Sequence, residues 1–527
     1  MSTRSAPLAV GSLFLCCASA VFADQAGSAP AHLPGDHIGF ETGALLPPQT
    51  LSFSIGTSEG EQGLALGTGR QNYGGEFRWR GAAPVEFGFA VQVYDDPPAM
   101  PIGGSGANIT ALSFGPSVKY QYLSEGALSL AVQGAVEVMV FGAEFLDSSD
   151  GSAREFPIGS LQFPASYQVQ DHLQLHANAG LAAFPDSLNG NSFYGTFYHG
   201  GAGFTWTPAR NLQVYGAAQG VFGPGGNGFA SDGAIRQSTV WALGARYAVS
   251  PYASADLYAT TGIGFTPATA LLADLPSRDA PLYGFRFNYL PTLGPARMSR
   301  ADTRATTQDA QLQVDGFGVG SAHTLSPRTF QTTVTLGTDG NRAAHIAAAR
   351  DPGVQFDAVI EEFADDASVD PAAVPAFEPR LSFGGRLRLL SAKDGAPFTV
   401  TARLLAGRDL EAPTVGVFYG GLPITYQPSG RLALHVDPRF AAFGDQRTAG
   451  VGVGVSYRMT DALQMLAEVT ATDRAQPAIW SIGARYDLDG LPVSIDAFAT
   501  NAIGRHGLGT LIAQDDPRFG IGLTWRN

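Results

Sequence analysis

Cysteine is nearly missing. Of 527 residues only Cys16 and Cys17 are cysteine, and both lie in a leading apolar segment. The rest of the chain has no disulfide framework and no cysteine-based metal or nucleophile site. Lysine is almost as scarce, present only at Lys119 and Lys393, and charged residues make up 15% of the chain against a usual value of about 25%. The 32 basic and 46 acidic residues leave a net charge of −14, which argues against nucleic acid as a partner. After the leading segment no run approaches the roughly 18 consecutive apolar residues of a membrane-spanning helix. A membrane location is then open only to a closed barrel.

The leading segment combines Arg4, an apolar run from Leu8 to Ala20, and Val21-Phe22-Ala23 before Asp24. This fits a signal peptide, residues 1–23, cut after Ala23. A run of about 13 residues, interrupted by Gly11 and Ser12, is too short to span a bilayer. Leu15, bulky and placed just before Cys16, does not suit lipoprotein acylation. The mature chain is expected to leave the cytoplasm.

What is abundant is glycine, with 66 residues, and alternation. Segments of about 8 to 15 residues with apolar and polar positions in turn follow one another from Leu51 to the end. In one of them Leu112, Phe114, Val118, Tyr120 and Tyr122 share a face, and Ser113, Ser117, Lys119 and Gln121 take the other. Such lengths suit tilted membrane strands better than the 5 to 6 residues usual in soluble sheets. Connections alternate short and long. Ala82-Ala83-Pro84, Gln170-Asp171-His172 and Ser250-Pro251 are short; residues 142–155, 223–236 and 265–280 are long. In bacterial barrels short turns are periplasmic and long loops external. About twelve strands fit before Tyr289, and an even count returns the chain to its starting side.

The chain also repeats itself, in the same order. Trp241-Ala-Leu-Gly-Ala-Arg246-Tyr247 matches Trp480-Ser-Ile-Gly-Ala-Arg485-Tyr486. Leu112 to Gly115 matches Leu381 to Gly384, Leu173 to Asn178 matches Leu432 to Asp437, and Pro281 to Tyr289 matches Pro517 to Trp525. The expected organisation is a first repeat over 24–290, a linker over 291–308 and a second repeat over 309–527. The fold class is all-β, an antiparallel transmembrane β-barrel. Two tandem barrels of about 12 strands are favoured over one of about 24, because the Pro-, Arg- and Thr-bearing linker has no strand pattern and each copy ends in its own aromatic-studded strand. A pair of soluble sandwiches is disfavoured by strand length and by Trp79, Trp206, Trp241, Trp480 and Trp525 falling near strand ends, as in interfacial girdles.

The closing segment Arg518-Phe-Gly-Ile-Gly-Leu-Thr-Trp525-Arg-Asn527 resembles the carboxy-terminal signal of outer-membrane proteins, although two residues follow the aromatic. That resemblance implies the barrel-assembly machinery and outer-membrane lipid as partners. The tandem design resembles the double-barrel proteins associated with exopolysaccharide export, which implies a saccharide or small solute as cargo.

Alternation assigns the lumenal faces. Copy one places His176, Arg246 and Asp256 inward, together with Glu86, Lys119, Glu137 and Arg286. Copy two places Arg386, Arg388, Arg403, His435, Asp437, Arg458, Arg485 and Asp496 inward, together with Arg380 and Glu468. Three recur in register, His176 with His435, Arg246 with Arg485 and Asp256 with Asp496, and consecutive strands bring each Arg toward its Asp. These are candidates for a constriction in a selective pore, or for a salt-bridge network filling a narrow barrel. The segments His37 to Pro48 and Phe317 to Pro327, ahead of each first strand, are candidate plugs. A lumenal histidine suits a general base, but no Ser shares its face at a triad-like spacing that appears in both copies, which disfavours a hydrolase. Tyr94-Asp95-Asp96-Pro97-Pro98, Asp365-Asp366 and Asp515-Asp516-Pro517 are expected in external loops, where carboxylates can hold Ca²⁺ but turn chemistry also explains Asp and Pro. The residues call for no cofactor, and a metal site is left open.

Overall fold

The structure, a computed structural model, describes residues 37–291, 312 and 314–527 apart from 60–71, 97–100, 105–108, 147–152, 277–279, 339, 364–368, 370–373, 375–378, 411–415 and 444–445. The signal peptide, nearly all of the linker, Pro97-Pro98 and Asp365-Asp366 lie outside the described residues.

The first repeat forms twelve strands: β1 (Thr50–Glu59), β2 (Asn72–Arg80), β3 (Val85–Asp96), β4 (Ile109–Glu125), β5 (Leu128–Ala143), β6 (Arg154–Gln162 continued by Ala165–Gln170), β7 (Leu173–Ala183), β8 (Thr196–Ala209), β9 (Leu212–Phe222), β10 (Val240–Ser250), β11 (Ala253–Thr260) and β12 (Leu282–Tyr289). The second forms β13 (Thr329–Gly337), β14 (Arg342–Ala349), β15 (Val354–Glu362), β16 (Arg380–Leu390), β17 (Thr399–Asp409), β18 (Gly416–Gly421 continued by Ile424–Ser429), β19 (Leu432–Phe443), β20 (Gln446–Arg458), β21 (Leu463–Thr472), β22 (Ile479–Asp487), β23 (Val493–Ala502) and β24 (Ala513–Arg526). Every strand pairs antiparallel with its sequence neighbour. Closure is internal to each copy. β1 meets β12, with Phe53 opposite Tyr289, and β13 meets β24, with Gln331 opposite Arg526. The chain is thus two closed 12-strand barrels, not one of 24.

A break at the same place in each copy deepens the duplication. Pro164 has no N–H to give, so β6 is interrupted at Phe163-Pro164, and both halves still pair with β5 and β7. Leu422-Pro423 interrupts β18 in the same way between β17 and β19.

Phe53, Phe77, Phe87, Phe89, Val118, Val136, Leu243 and Leu257 are exposed on the outer wall, as are Val334, Val453, Ile482 and Ile521 on the second. No water-soluble barrel gains by presenting such a band, and the closed hydrogen-bonding removes every edge. Trp79, Trp206 and Trp525 stand near the short-turn rim and Trp241 and Trp480 near the long-loop rim, which is the double girdle of an outer-membrane barrel. Among the described residues no helix is long and apolar enough to cross a membrane. The barrels touch near the short-turn rim, where the Tyr289 hydroxyl donates to Asp351 and its ring meets Phe356 at 5.2 Å.

Candidate functional site: two filled lumens

Each lumen is occupied by the chain's own leading segment. In the first barrel His37 stacks on Tyr215, centroids 4.9 Å apart, and its Nε2 lies 2.7 Å from the Thr205 hydroxyl. Glu41 accepts from Lys119 at 2.9 Å and from Gln133 at 3.3 Å. The Gly43 N–H donates to Ser166 and the Leu46 N–H to Glu86. In the second barrel the Asp315 carboxylate is gripped by two nitrogens of Arg386, one at 2.8 Å. The N–H groups of Phe317, Gly318 and Val319 converge on Glu468 at 2.8, 2.8 and 3.1 Å, and that of Gly320 donates to Asp437 at 2.9 Å. The Leu325 N–H donates to Gln355, on the third strand of its barrel as Glu86 is on the third of the first. Both plugs read Gly-Phe-x-x-Gly, at 39–43 and 316–320.

Glycine is needed because the plug backbone lies flat on the wall. A Cβ on Gly43 would sit 2.4 Å from the Ser129 carbonyl oxygen, and one on Gly316 would sit 1.4 Å from Glu468 Oε1.

From the opposite rim a long loop folds inward. In the first barrel Phe265, Thr266 and Ala268 bond Gln92 and Glu137. In the second the loop between β23 and β24 brings the Arg505 and His506 N–H groups to Glu361. Above these contacts apolar seals close the mouths: Phe141, Phe193, Tyr194, Phe229 and Leu271 in one, Phe363, Tyr419, Phe443, Leu508 and Leu511 in the other. Two cavities among the described residues hold about 10 Å³ beside Gln92 and about 20 Å³ beside Glu361, room for about one water.

The recurring ion pairs sit on the wall beneath. Arg246 Nε and Nη2 donate to Asp256 at 2.7 and 2.8 Å, and Arg286 and Asn288 complete that carboxylate's shell. Arg485 grips Asp496 in the same fork at 2.7 and 3.1 Å. The third partner differs in origin. Arg286 faces Asp256 across β11 and β12, whereas the matching position opposite Asp496 is Gly522, and Arg505 enters from the loop to bond Asp496 at 2.8 Å. The missing side chain at Gly522 leaves space for that guanidinium, which would lie 2.9 Å from a Cβ there.

His176 Nδ1 lies 2.7 Å from the Ser166 hydroxyl and its Nε2 2.9 Å from that of Thr205; His435 meets Thr425 at 3.0 Å and Ser456 at 3.2 Å. A hydroxyl faces the histidine in both copies, Ser166 in the first and Thr425 in the second, so no serine recurs in register. The hairpin register, which runs unchanged across the proline break, sets Ser166 opposite His176 and Thr425 opposite His435. Among the described residues neither ring is bonded to a carboxylate, the third member that orients a catalytic base.

Arg403 lies across from Arg386 in register, buried, with its guanidinium 5.7 Å from the Tyr419 ring. Arg458 is buried in β20 near the short-turn rim, and Arg388 lies apart from Arg386, against Gly353 at that rim. Sequence reasoning missed Asp357, His345 and Arg439. Asp357 accepts from His345, Gln355 and Arg386, and Arg439 flanks Asp437 at 3.5 Å. The alternation of Gln355, Asp357, Val359 and Glu361 along β15 was the available signal. Asp515 and Asp516 belong to β24 rather than to a loop, because that strand continues past the rim. Asp95 and Asp96 likewise close β3. No group of three or more His, Asp or Glu among the described residues is placed to hold a metal ion.

Off the strands, burial pushes the Asp315 carboxyl up, but Arg386 and then Arg403 outweigh it and hold it well below the usual carboxylate range. Burial lowers the His323 imidazole to about 3, with His435, Lys393 and Arg388 adding to it and Asp315 opposing.

No family model matches the chain, and no curated protein is significantly similar to it in sequence. Solved structures overlap it weakly. A KdgM porin in complex with disordered oligogalacturonate is 7% identical over 37% of this chain and 98% of its own, with a TM-score of 0.28. The NanC porin is 9% identical over 45% and 98%, TM-score 0.30. The siderophore receptor PirA from Pseudomonas aeruginosa is 6% identical over 91% and 80%, TM-score 0.22. At such scores the barrel assignment rests on the strand pairing alone.

Proposed function

We propose that the protein is an outer-membrane conduit for small hydrophilic solutes, saccharides included, whose two lumens are held closed by their own plugs. The observation that carries this reading is the chemistry of the plug contacts. Each plug is held to the wall by hydrogen bonds and one carboxylate–cation pair beside a small apolar contact, Ile38 with Tyr215 and Tyr258 in the first and Phe317 with Leu466 and Phe498 in the second, and the polar groups can exchange their partners for water or a polar solute at modest net cost. A plug bound through an apolar core has no such exchange open to it.

Planar-bilayer recordings of the purified chain and of a variant lacking residues 24–47 test it. The deletion should raise single-channel conductance or open time. Equal, silent traces in both would overturn the conduit. The apolar seals at the long-loop mouths favour a second reading, a structural barrel with a permanently filled lumen, and silent traces are its expectation.

A further inference from the structure

Among the described residues each plug carries one carboxylate, Glu41 in the first and Asp315 in the second, and each meets a cation of the wall, Lys119 and Arg386. The second site is the more elaborate. Arg386 offers two nitrogens to Asp315 in the fork geometry that suits a carboxylate. Its Nε is held by Asp357, itself fixed by His345 and Gln355, so the fork is aimed before any ligand arrives. Arg403 stands directly across the strand pair, about 94% buried. Its Nε and Nη2 have no hydrogen-bond partner among the described residues, although both are shut off from solvent. A buried guanidinium with unused donors is costly, and this one stands opposite the fork of Arg386 in register.

We infer that Arg386 and Arg403 form a carboxylate-binding station on the lumen wall, that Asp315 occupies it in the closed state as a mimic, and that the ligand replacing it is a carboxylate-bearing solute such as a sugar acid. The inference rests on the conduit reading for its physiological sense, but the site itself can be tested without any current. Leaving the station, Asp315 exposes a charged fork that a solute carboxylate can bridge, with Arg403 supplying the donors that Asp315 leaves unused. An uncharged sugar has no carboxylate to enter the fork.

The test is chemical rescue in the full chain. Asp315→Ala empties the station, and the thermal unfolding midpoint, read by heat-modifiable gel migration, should fall. Millimolar acetate or glucuronate should restore most of the loss, whereas glucose, acetamide and chloride at equal ionic strength should not. Adding Arg386→Gln to Asp315→Ala should abolish the rescue. Rescue by chloride as strong as by acetate, no rescue by either carboxylate, or rescue that survives Arg386→Gln would each overturn the station. Reversal potentials of Asp315→Ala in a KCl gradient then separate the two claims. A current that prefers anions, and loses that preference with Arg403→Gln, supports both. Carboxylate rescue with no current under any condition leaves the station standing and removes the conduit.

Discussion

Replacing Glu468 by Gln should release the second plug without disturbing the wall that holds it. The Glu468 carboxylate receives three main-chain N–H groups, from Phe317, Gly318 and Val319, and among the described residues it bonds no acceptor. An amide of the same shape keeps one accepting oxygen and turns an NH₂ toward donors. With its oxygen in the Oε2 place the amide keeps the Gly318 and Val319 bonds as neutral ones and loses that of Phe317; at roughly 1.5 kcal/mol for each charged bond and about half that for a neutral one, the seated plug loses about 3 kcal/mol. That is roughly a 150-fold shift in the ratio of seated to released plug. Native-state amide exchange of the reconstituted protein reads this directly, because local opening sets the exchange rate. The amides of Phe317, Gly318 and Val319 should exchange about 100-fold faster, while Val453 and Val469, paired with each other across β20 and β21, should keep their protection. If the three plug amides changed by less than about threefold, the carboxylate would not be what anchors the plug, and the polar-latch argument would fail.

Asp256→Asn leaves Arg246 and Arg286 buried without their shared carboxylate, so the heat-modifiable transition should drop by the equivalent of about 3–5 kcal/mol, and Arg246→Met, Asp256→Leu and Arg286→Met together should recover most of it. Gly43→Val puts side-chain atoms against the Ser129 carbonyl oxygen and the Ser166 nitrogen, both main chain, so the first plug should lift and the protection of the Leu46 amide should be lost while the β5–β6 ladder is unaffected. His323 is held neutral with a pKa of about 3 against 6.5 when released. The released plug therefore binds the extra proton between those values, and seating should weaken as pH falls from 6.5 toward 3, by at most about 1.4 kcal/mol per unit. Asp315 works in the same direction at more acid pH: its carboxyl is depressed when seated, so the released plug takes up the proton first and the seating contribution declines as pH falls from the ordinary carboxylate range toward the depressed value. His323→Gln should flatten the dependence, measured as open probability against pH.

The walls were legible in the sequence because strand periodicity is local. Arg246 and Asp256 lie on consecutive strands with a tight turn between, so alternation alone brings them together, and the same holds for Arg485 and Asp496. Gly522 shows where that logic stops. Nothing in the local pattern says that the guanidinium absent there is supplied by Arg505, because the loop carrying it obeys no period and its path is set by the space inside the barrel. The partners of Glu41 and Asp315 were illegible for the same reason, being 78 and 71 residues distant along the chain. The Ser166–His176 contact was within reach of alternation alone, because the pairing of β6 with β7 runs unchanged through the proline break, Gln162 opposite Gly180 and Ser166 opposite His176.

The differences between the copies bear on what has been kept. The two walls supply the third ligand of the Asp256 and Asp496 carboxylates by different routes, and the two plugs share little beyond Gly-Phe-x-x-Gly. A lumen that needed only filling has neutral solutions available, and burying a carboxylate and its cation is seldom the most stabilising of them. Yet each copy sets one plug carboxylate on one wall cation, Glu41 on Lys119 and Asp315 on Arg386. A charged latch recurring on such divergent surroundings is better accounted for by a need to open than by a need to fill. If so, Lys119→Met together with Glu41→Leu should leave the first barrel more heat-stable and harder to open, a pairing of effects that a merely structural ion pair would not produce.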